Sequence, residues 1–351
     1  MKIQHFNCKF FAIVFFMSAF TFSCQSDLEE TQEEIVSADL VTNTTRNTNL
    51  EDRFQYFHRG NSRDNIYTSH SESGIGSWSS NTRINGLGLT KSTVKATQFG
   101  SEIAVAYVGR RNTKKIYYGL SSDGDSFGPE RVVPGAQTSG TFSMIEFDDD
   151  LFVYHRGRTS GNSRMFYSAL DGANNTWSQN SELANSPIYN DFDFVVANGL
   201  LFMVVINSSR IIVKTSTNGV NFNNLTSQLF QLPTGTGFPT SLSITQNPYT
   251  NSGTIDYHVV IGTSTGHVLT TVTSNFTTFS PVTKIRINNS DVKSAHDVSI
   301  ASNGSRLVIA YEKESGNSIR YAYSNDGNNW IGNINARGGT SRSGVDIIYT
   351  E

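Results

Sequence analysis

The stretch Ser324-Asn325-Asp326-Gly327-Asn328-Asn329-Trp330, SNDGNNW, reads as a tight turn followed by an aromatic residue. The chain repeats it. SSDGDSF at 121–127 and STNGVNF at 216–222 keep the spacing, while SESGIGSW (71–78), SALDGANNTW (168–177) and TSNFTTF (273–279) are looser versions. A short run of alternating apolar and polar residues precedes each. The residues opening these runs are Ile66, Ile116, Met165, Ile211, Val268 and Ile319, separated by 50, 49, 46, 57 and 51 residues. A period near fifty marks a repeat architecture, so a single unit decides the fold.

In the third unit, TFSMIEF, LFVYHRG, RMFYSAL and TWSQNSEL are separated by Asp148-Asp149-Asp150, RTSGNS and DGANN. That is a meander of four short antiparallel strands. The second unit reads the same way, and Asn198-Gly199 and Asn303-Gly304 suit tight hairpins elsewhere. Six such units predict an all-β chain, a six-bladed β-propeller of four-stranded antiparallel blades. One bookkeeping detail supports closure. The first unit begins at Asp52-Arg53-Phe54 with a second strand, whereas SGVDIIYTE at 343–351 is a first strand left over. Pairing of this last strand into blade 1 would close the ring.

The turn SxDGxxW/F resembles the Asp-box, or BNR-type repeat, of the sialidase superfamily, and the likeness covers residues 52–351 as architecture. It implies that Asp123, Asp171, Asp326 and the neutral substitute Asn218 accept amides of their own turns, while glycine supplies a positive φ. It also implies that Trp78, Phe127, Trp177, Phe222 and Trp330 pack against the sheet, on the face away from a functional site. A motif spread around a ring cannot converge on one site, so these residues are expected to be structural.

The opening residues carry a different signal. Lys2 and Lys9 flank the apolar run FFAIVFFMSAFTF at 10–22, too short to span a bilayer comfortably, so residues 1–23 read as an export signal. The chain has two cysteines, Cys8 and Cys24, and removal of the signal leaves Cys24 alone at the new terminus. Thr21-Phe22-Ser23-Cys24 resembles the lipobox of bacterial lipoproteins, and QSDLEE at 25–30 resembles the export tag of Bacteroidota surface lipoproteins. The resemblance implies lipidation at Cys24 and attachment to the outer membrane, exposed at the cell surface, through the lipid alone. Residues 24–50 are then a polar, acidic tether, and 51–351 the propeller. Setting aside the six acids and one base of 25–50 and the two signal lysines leaves 24 residues of each sign in 51–351. A balanced domain gives no reason to expect nucleic acid as a partner.

Function in a propeller concentrates on the turns between second and third strands and on the links between blades. Arg59, Arg110, Arg156 and Lys313 fall at corresponding turns, with His58 and His155 preceding two of them. The links add Tyr189, Asn190, Asp191, Phe238, His296, Asp297 and Arg342. Such a rim suits an anionic or polyhydroxylated ligand, because guanidinium groups pair with carboxylates and aromatic rings cover sugar faces. YFHRG at 56–60 and YHRG at 154–157 also resemble the repeats of propeller lectins, a likeness that fades in blades 4 and 5. The expectation is therefore a surface lipoprotein that binds a glycan. Two alternatives stand beside it. A sialidase-like or other exo-glycosidase would draw its carboxylates from Asp191, Asp297 and Glu312, although the family's Phe/Tyr-Arg-Ile-Pro signature is absent. A protein-interaction platform in an outer-membrane complex is the other. No HExxH, GxSxG or phosphate-loop motif appears, and no cofactor or metal is expected.

Overall fold

The computed structural model describes residues 50–351 apart from 62–63, 111–113, 139, 158–163, 185–190, 208–209 and 248–254. The export signal, Cys24, the tether, Tyr189 and Asn190 lie outside the described residues. Among those described, the regular structure is all β, in antiparallel sheets.

The sheets are six blades. Blade 2 runs Thr90–Phe99, Glu102–Gly109, Lys115–Ser121 and Arg131–Gln137 from axis to rim, and blades 3, 4 and 5 repeat that order from Phe142, Asp191 and Pro239 onward. Blades 6 and 1 share one strand. Ile331–Thr350 pairs through its first half with Ser318–Ser324, then through its second half with Arg53–Gly60, from Ser341↔Gly60 to Thr350↔Arg53. It is thus the outermost strand of blade 6 and the innermost of blade 1, which is the closure expected from the leftover segment. First strands of successive blades contact one another all the way round, so the ring is complete.

The six residues that set the sequence period occupy equivalent positions. Ile66, Ile116, Met165, Ile211, Val268 and Ile319 pair with Arg59, Val108, Arg156, Ile206, Gly262 and Glu312, and all six are buried. Hairpin chemistry follows the sequence at Asn198-Gly199 and Asp148-Asp149, where both central residues take positive φ. At Asn303-Gly304 only Gly304 does, and Asn303 instead accepts the amides of Ser305 and Arg306.

The turn aspartates act as anticipated from their chemistry. Asp123 Oδ1 accepts the amides of Asp125 (2.8 Å) and Ser126 (2.7 Å), and Asp326 Oδ1 those of Asn328 (2.9 Å) and Asn329 (2.8 Å). Asp171 and Asn218 repeat the pattern. Blade 5 has not lost the device with its acid, since Asn275 accepts from Thr277 and Thr278.

The glycine and aromatic of each turn do more than cap a hairpin. A Cβ on Gly327 of blade 6 would collide with the His258 ring of blade 5, one on Gly219 of blade 4 with Phe152 of blade 3, and one on Gly124 of blade 2 with Gln55 of blade 1. Blade 5 substitutes Phe276 at positive φ and stacks it on Phe202 of blade 4, centroids 3.9 Å apart. The aromatics point the same way round. Trp78 meets Tyr321 of blade 6 (5.4 Å), Phe127 meets Phe57 of blade 1 (6.2 Å), Trp177 meets Tyr118 of blade 2 (5.1 Å) and Phe222 meets Tyr154 of blade 3 (6.0 Å). Trp330 joins the cluster built on Val260, Val268 and Ile285 of blade 5. Each turn is a wedge driven against the preceding blade.

Three outcomes follow. Trp330→Ala should cost about 3–5 kcal/mol in urea denaturation, and Asp326→Ala about 1 kcal/mol, because the first empties an interface and the second frees two amides toward solvent. Burial holds the His258 imidazole at about 4 against the opposing charge of Asp326, below its ordinary 6.5. A lowered histidine contributes stability that is present above pH 6.5 and is lost as pH falls through 4. His258→Phe, copying Phe152 and Phe202, should therefore outlast the parent protein increasingly from pH 6.5 to 4 in thermal melts.

Candidate functional site

The second strand of each blade ends on the loop face, and that end carries a repeated arrangement of rings. His58 stacks on Tyr67 (centroids 5.6 Å, planes 20° apart), Tyr107 on Tyr117 (5.9 Å, 17°) and His155 on Phe166 (5.7 Å, 17°). In blade 6, Tyr311 lies opposite Arg320 across the strand pair. The first member is buried in every case and the second half-buried. Each buried ring is tied to a polar side chain of its own blade. His58 Nε2 lies 2.9 Å from Asn81 Oδ1, and His155 Nε2 lies 2.9 Å from Asn180 Oδ1. The Tyr107 hydroxyl donates to Glu130, and the Tyr311 hydroxyl to Asn333 (2.8 Å). Blades 4 and 5 replace the ring by Val205 and Ile261.

This corrects the expectation for His58 and His155. They are 0% and 1% exposed, and each Nδ1 faces a neighbouring carbonyl, of Arg59 or Arg156, at 3.1 Å. Burial lowers both pKa values against the pull of those two partners. They support the rings that reach the surface, Tyr67 and Phe166, rather than reaching it themselves. Asn81, Glu130, Asn180 and Asn333 were missed from the sequence. A signal existed: each stands three residues after a turn aromatic, Trp78, Phe127, Trp177 and Trp330, whereas blades 4 and 5 have Leu225 and Val282 there.

The basic residues do not all share one register. Arg59 and Arg156 are equivalent, but Val108 fills that place in blade 2 and Glu312 in blade 6, so Arg110 lies two residues further along and Lys313 one. Arg59 and Arg110 nevertheless meet. Arg59 Nε and Nη2 donate to Asp64 Oδ1 (3.0 and 2.5 Å), and Arg110 Nε lies 3.1 Å from Asp64 Oδ2. Arg156 sits apart in blade 3, beside Gly140. Lys313 is half-buried and Arg342 is exposed on the closing strand.

The Arg59–Asp64–Arg110 cluster reaches, through Arg110, a cleft of about 840 Å3 lined by Leu89, Lys91, Tyr107, Gly109, Arg110, Tyr117 and Glu130. The link from blade 1 brings Leu89 to it and the start of blade 2's first strand brings Lys91, and the backbone is fixed there, Arg110 N donating to Leu89 O and Arg59 Nη1 to Lys91 O. Gly109 must be glycine, because a Cβ would strike the Tyr117 ring at 2.5 Å. The cleft so presents a half-exposed aromatic face, two exposed cations and a carboxylate.

The carboxylates expected as a catalytic pair lie elsewhere. Lys95, Ser143, Asp193, Ser243, Ser299 and Asp346 stand at equivalent positions of the six first strands and line the central channel. Several accept an amide of the next blade: Asp346 from Ala96 (2.7 Å), Asp193 from Ile244 (3.1 Å), Ser243 from Ile300 (3.3 Å) and Ser299 from Ile347 (3.2 Å). Asp191 joins this belt by accepting Leu242 N at 2.7 Å, and Asp297 accepts the Thr93 hydroxyl at 2.7 Å. Glu312 is fully buried, with the His296 imidazole Nε2 3.8 Å from its carboxylate, and burial raises its pKa. Among the described residues, no group of three or more His, Cys, Asp or Glu is placed to hold a metal ion.

Burial, with the charge of Asp297, pushes the Asp191 carboxyl up to about 8 against Lys95 and the Leu242 amide. A raised carboxyl contributes stability that is complete below about pH 4 and lost as pH rises through 8. Asp191→Asn keeps the acceptor and removes the titration. The variant should gain on the parent protein across that window, by on the order of 2 kcal/mol at pH 8 in chemical denaturation.

No protein-family model matches the sequence, and no curated protein matches it. Among solved structures the chain is similar to the lectin of Aleuria aurantia, a six-bladed β-propeller with a described fucose recognition mode. The TM-score is 0.58 at 12% identity, covering 82% of this chain and 92% of the lectin. The SapL1 lectin, solved with α-methyl fucoside, gives 0.58 at 13% identity over 83% and 95% of the two chains. The BP39L lectin from Burkholderia pseudomallei gives 0.54 at 13% over 81% of each. At such identities the likeness is one of fold.

Proposed function

We propose that this chain is a glycan-binding module, held at the outer surface of a bacterial cell by lipid on Cys24, with its principal site in the cleft between blades 1 and 2. The observation that carries the reading is that the Tyr117 ring lines one cleft together with the hydrogen-bonding side chains of Arg110, Lys91 and Glu130. Sugars are recognised by that combination: an aromatic ring covers their C–H face, while charged groups pair with their hydroxyls. The structural neighbours named as lectins support it, two of them described with fucose or a fucoside. The lipoprotein-like N-terminus supports the location and is drawn from sequence alone.

A hydrolytic reading has less to stand on. Asp191 is spent on a neighbouring blade's amide and Asp297 on Thr93, and neither belongs to the cleft.

A glycan array probed with residues 51–351 should give binding without turnover by mass spectrometry. Tyr117→Ala and Arg110→Ala should each weaken the leading hit about tenfold, the value of one good stacking or charged contact. Arg110 is 52% exposed, so its replacement should leave the melting temperature in place. Full affinity in both variants would move the site elsewhere on the propeller.

A further inference from the structure

We infer that the cleft between blades 1 and 2 selects sugars carrying an anionic group, a carboxylate or a sulfate; this rests on the glycan-binding reading above and narrows it. The domain as a whole is balanced in charge, with 24 residues of each sign in 51–351, yet this cleft is not. Three cations, Arg59, Arg110 and Lys91, gather around two acids, Asp64 and Glu130.

Both acids are already committed. Asp64 is shared by two guanidinium groups, which leaves that trio with one net positive charge. Glu130 accepts the Tyr107 hydroxyl, and that hydroxyl is fixed from behind by the Gly88 amide at 2.7 Å. Gly88 permits the approach, because a Cβ there would collide with Glu130. The cations are less committed. Arg110 lines the cleft, uses Nε on Asp64 and is half exposed, which leaves its two terminal nitrogens for a ligand, a fork that can bind a carboxylate or sulfate through two parallel bonds. Lys91 is exposed at the same wall, its carbonyl pinned by Arg59. Tyr117, lying over Gly109, supplies the floor on which a sugar ring can rest. A neutral sugar would use the floor and Glu130. An acidic one would use the fork as well.

The test compares matched pairs on the intact domain 51–351 by isothermal titration: trigalacturonic acid with its methyl ester, 3′-sialyllactose with lactose, and a chondroitin sulfate tetrasaccharide with its desulfated form. At least one acidic member should bind about tenfold or more tighter than its partner, with the advantage shrinking as salt rises from 50 to 500 mM. Which pair responds separates carboxylate from sulfate. The double variant Lys91→Gln, Arg110→Gln should erase the advantage, so that the two members of a pair bind it alike, while Arg110→Lys with Lys91 intact should retain part of it. Should the double variant misfold, the salt dependence and the ester comparison on the parent protein decide the matter. Equal binding within every pair would overturn the selectivity and keep the glycan reading. Binding to none of the six would remove both.

Discussion

Everything in this ring depends on contact between one blade's turn and the sheet before it. A propeller blade is a four-stranded sheet with two apolar faces, and neither face is satisfied until a neighbour covers it. The turn between third and fourth strands does this in a small space. Its glycine lets backbone press on the second strand of the preceding blade, at Gln55, Phe152 or His258, and its aromatic fills the gap alongside. Where Phe276 stands in for glycine, the contact survives as ring on ring, at the cost of a positive φ on a bulky residue. The spacing of the motif is therefore the spacing of an interface, which is why it persists although the aspartate does not.

At the axis the same problem is solved with polar groups. First strands crowd together there, and side chains at one position per blade accept amides from the next blade rather than pack as hydrocarbon. Four aspartates, Asp191, Asp193, Asp297 and Asp346, surround one ammonium, Lys95, which lies 3.6 Å from Asp346. Buried charge is tolerable only when paired or neutralised; Asp346 is paired with Lys95, and burial raises the pKa of both Asp191 and Asp346. The belt separates a structural use of carboxylates, at the axis, from the use of charge in the cleft between blades 1 and 2.

How much of this was legible beforehand follows from how local each feature is. The four-strand unit, six repeats and the closing strand could be read because alternation and turn chemistry act within a few residues. The register of the arginines could not, since a one-residue offset in register, as between Arg156 and Lys313, leaves the sequence pattern looking the same. Nor could the burial of His58 and His155, whose hydrogen-bond partners lie 23 and 25 residues downstream. Convergence of Arg59 and Arg110 needed Asp64, which looked like an ordinary turn residue. The axial placement of Asp191 and Asp297 was hidden for a related reason: both are in first strands, and only the ring shows that first strands face the axis.

The shared strand Ile331–Thr350 has a mechanical meaning. The chain enters the propeller at Arg53, and the strand Arg53–Gly60 is clamped between Ile66–Ser71 on one side and the closing strand on the other, with the Thr350 hydroxyl bonded to the Glu51 carbonyl at 2.8 Å. A pull from the N-terminal side runs along the length of this strand, so its ladder bonds on both flanks bear the load together, in shear. Unzipping them one at a time would need a pull at right angles. Load entering from the N-terminal side thus falls on a seam that is complete only when Val345–Thr350 has folded in.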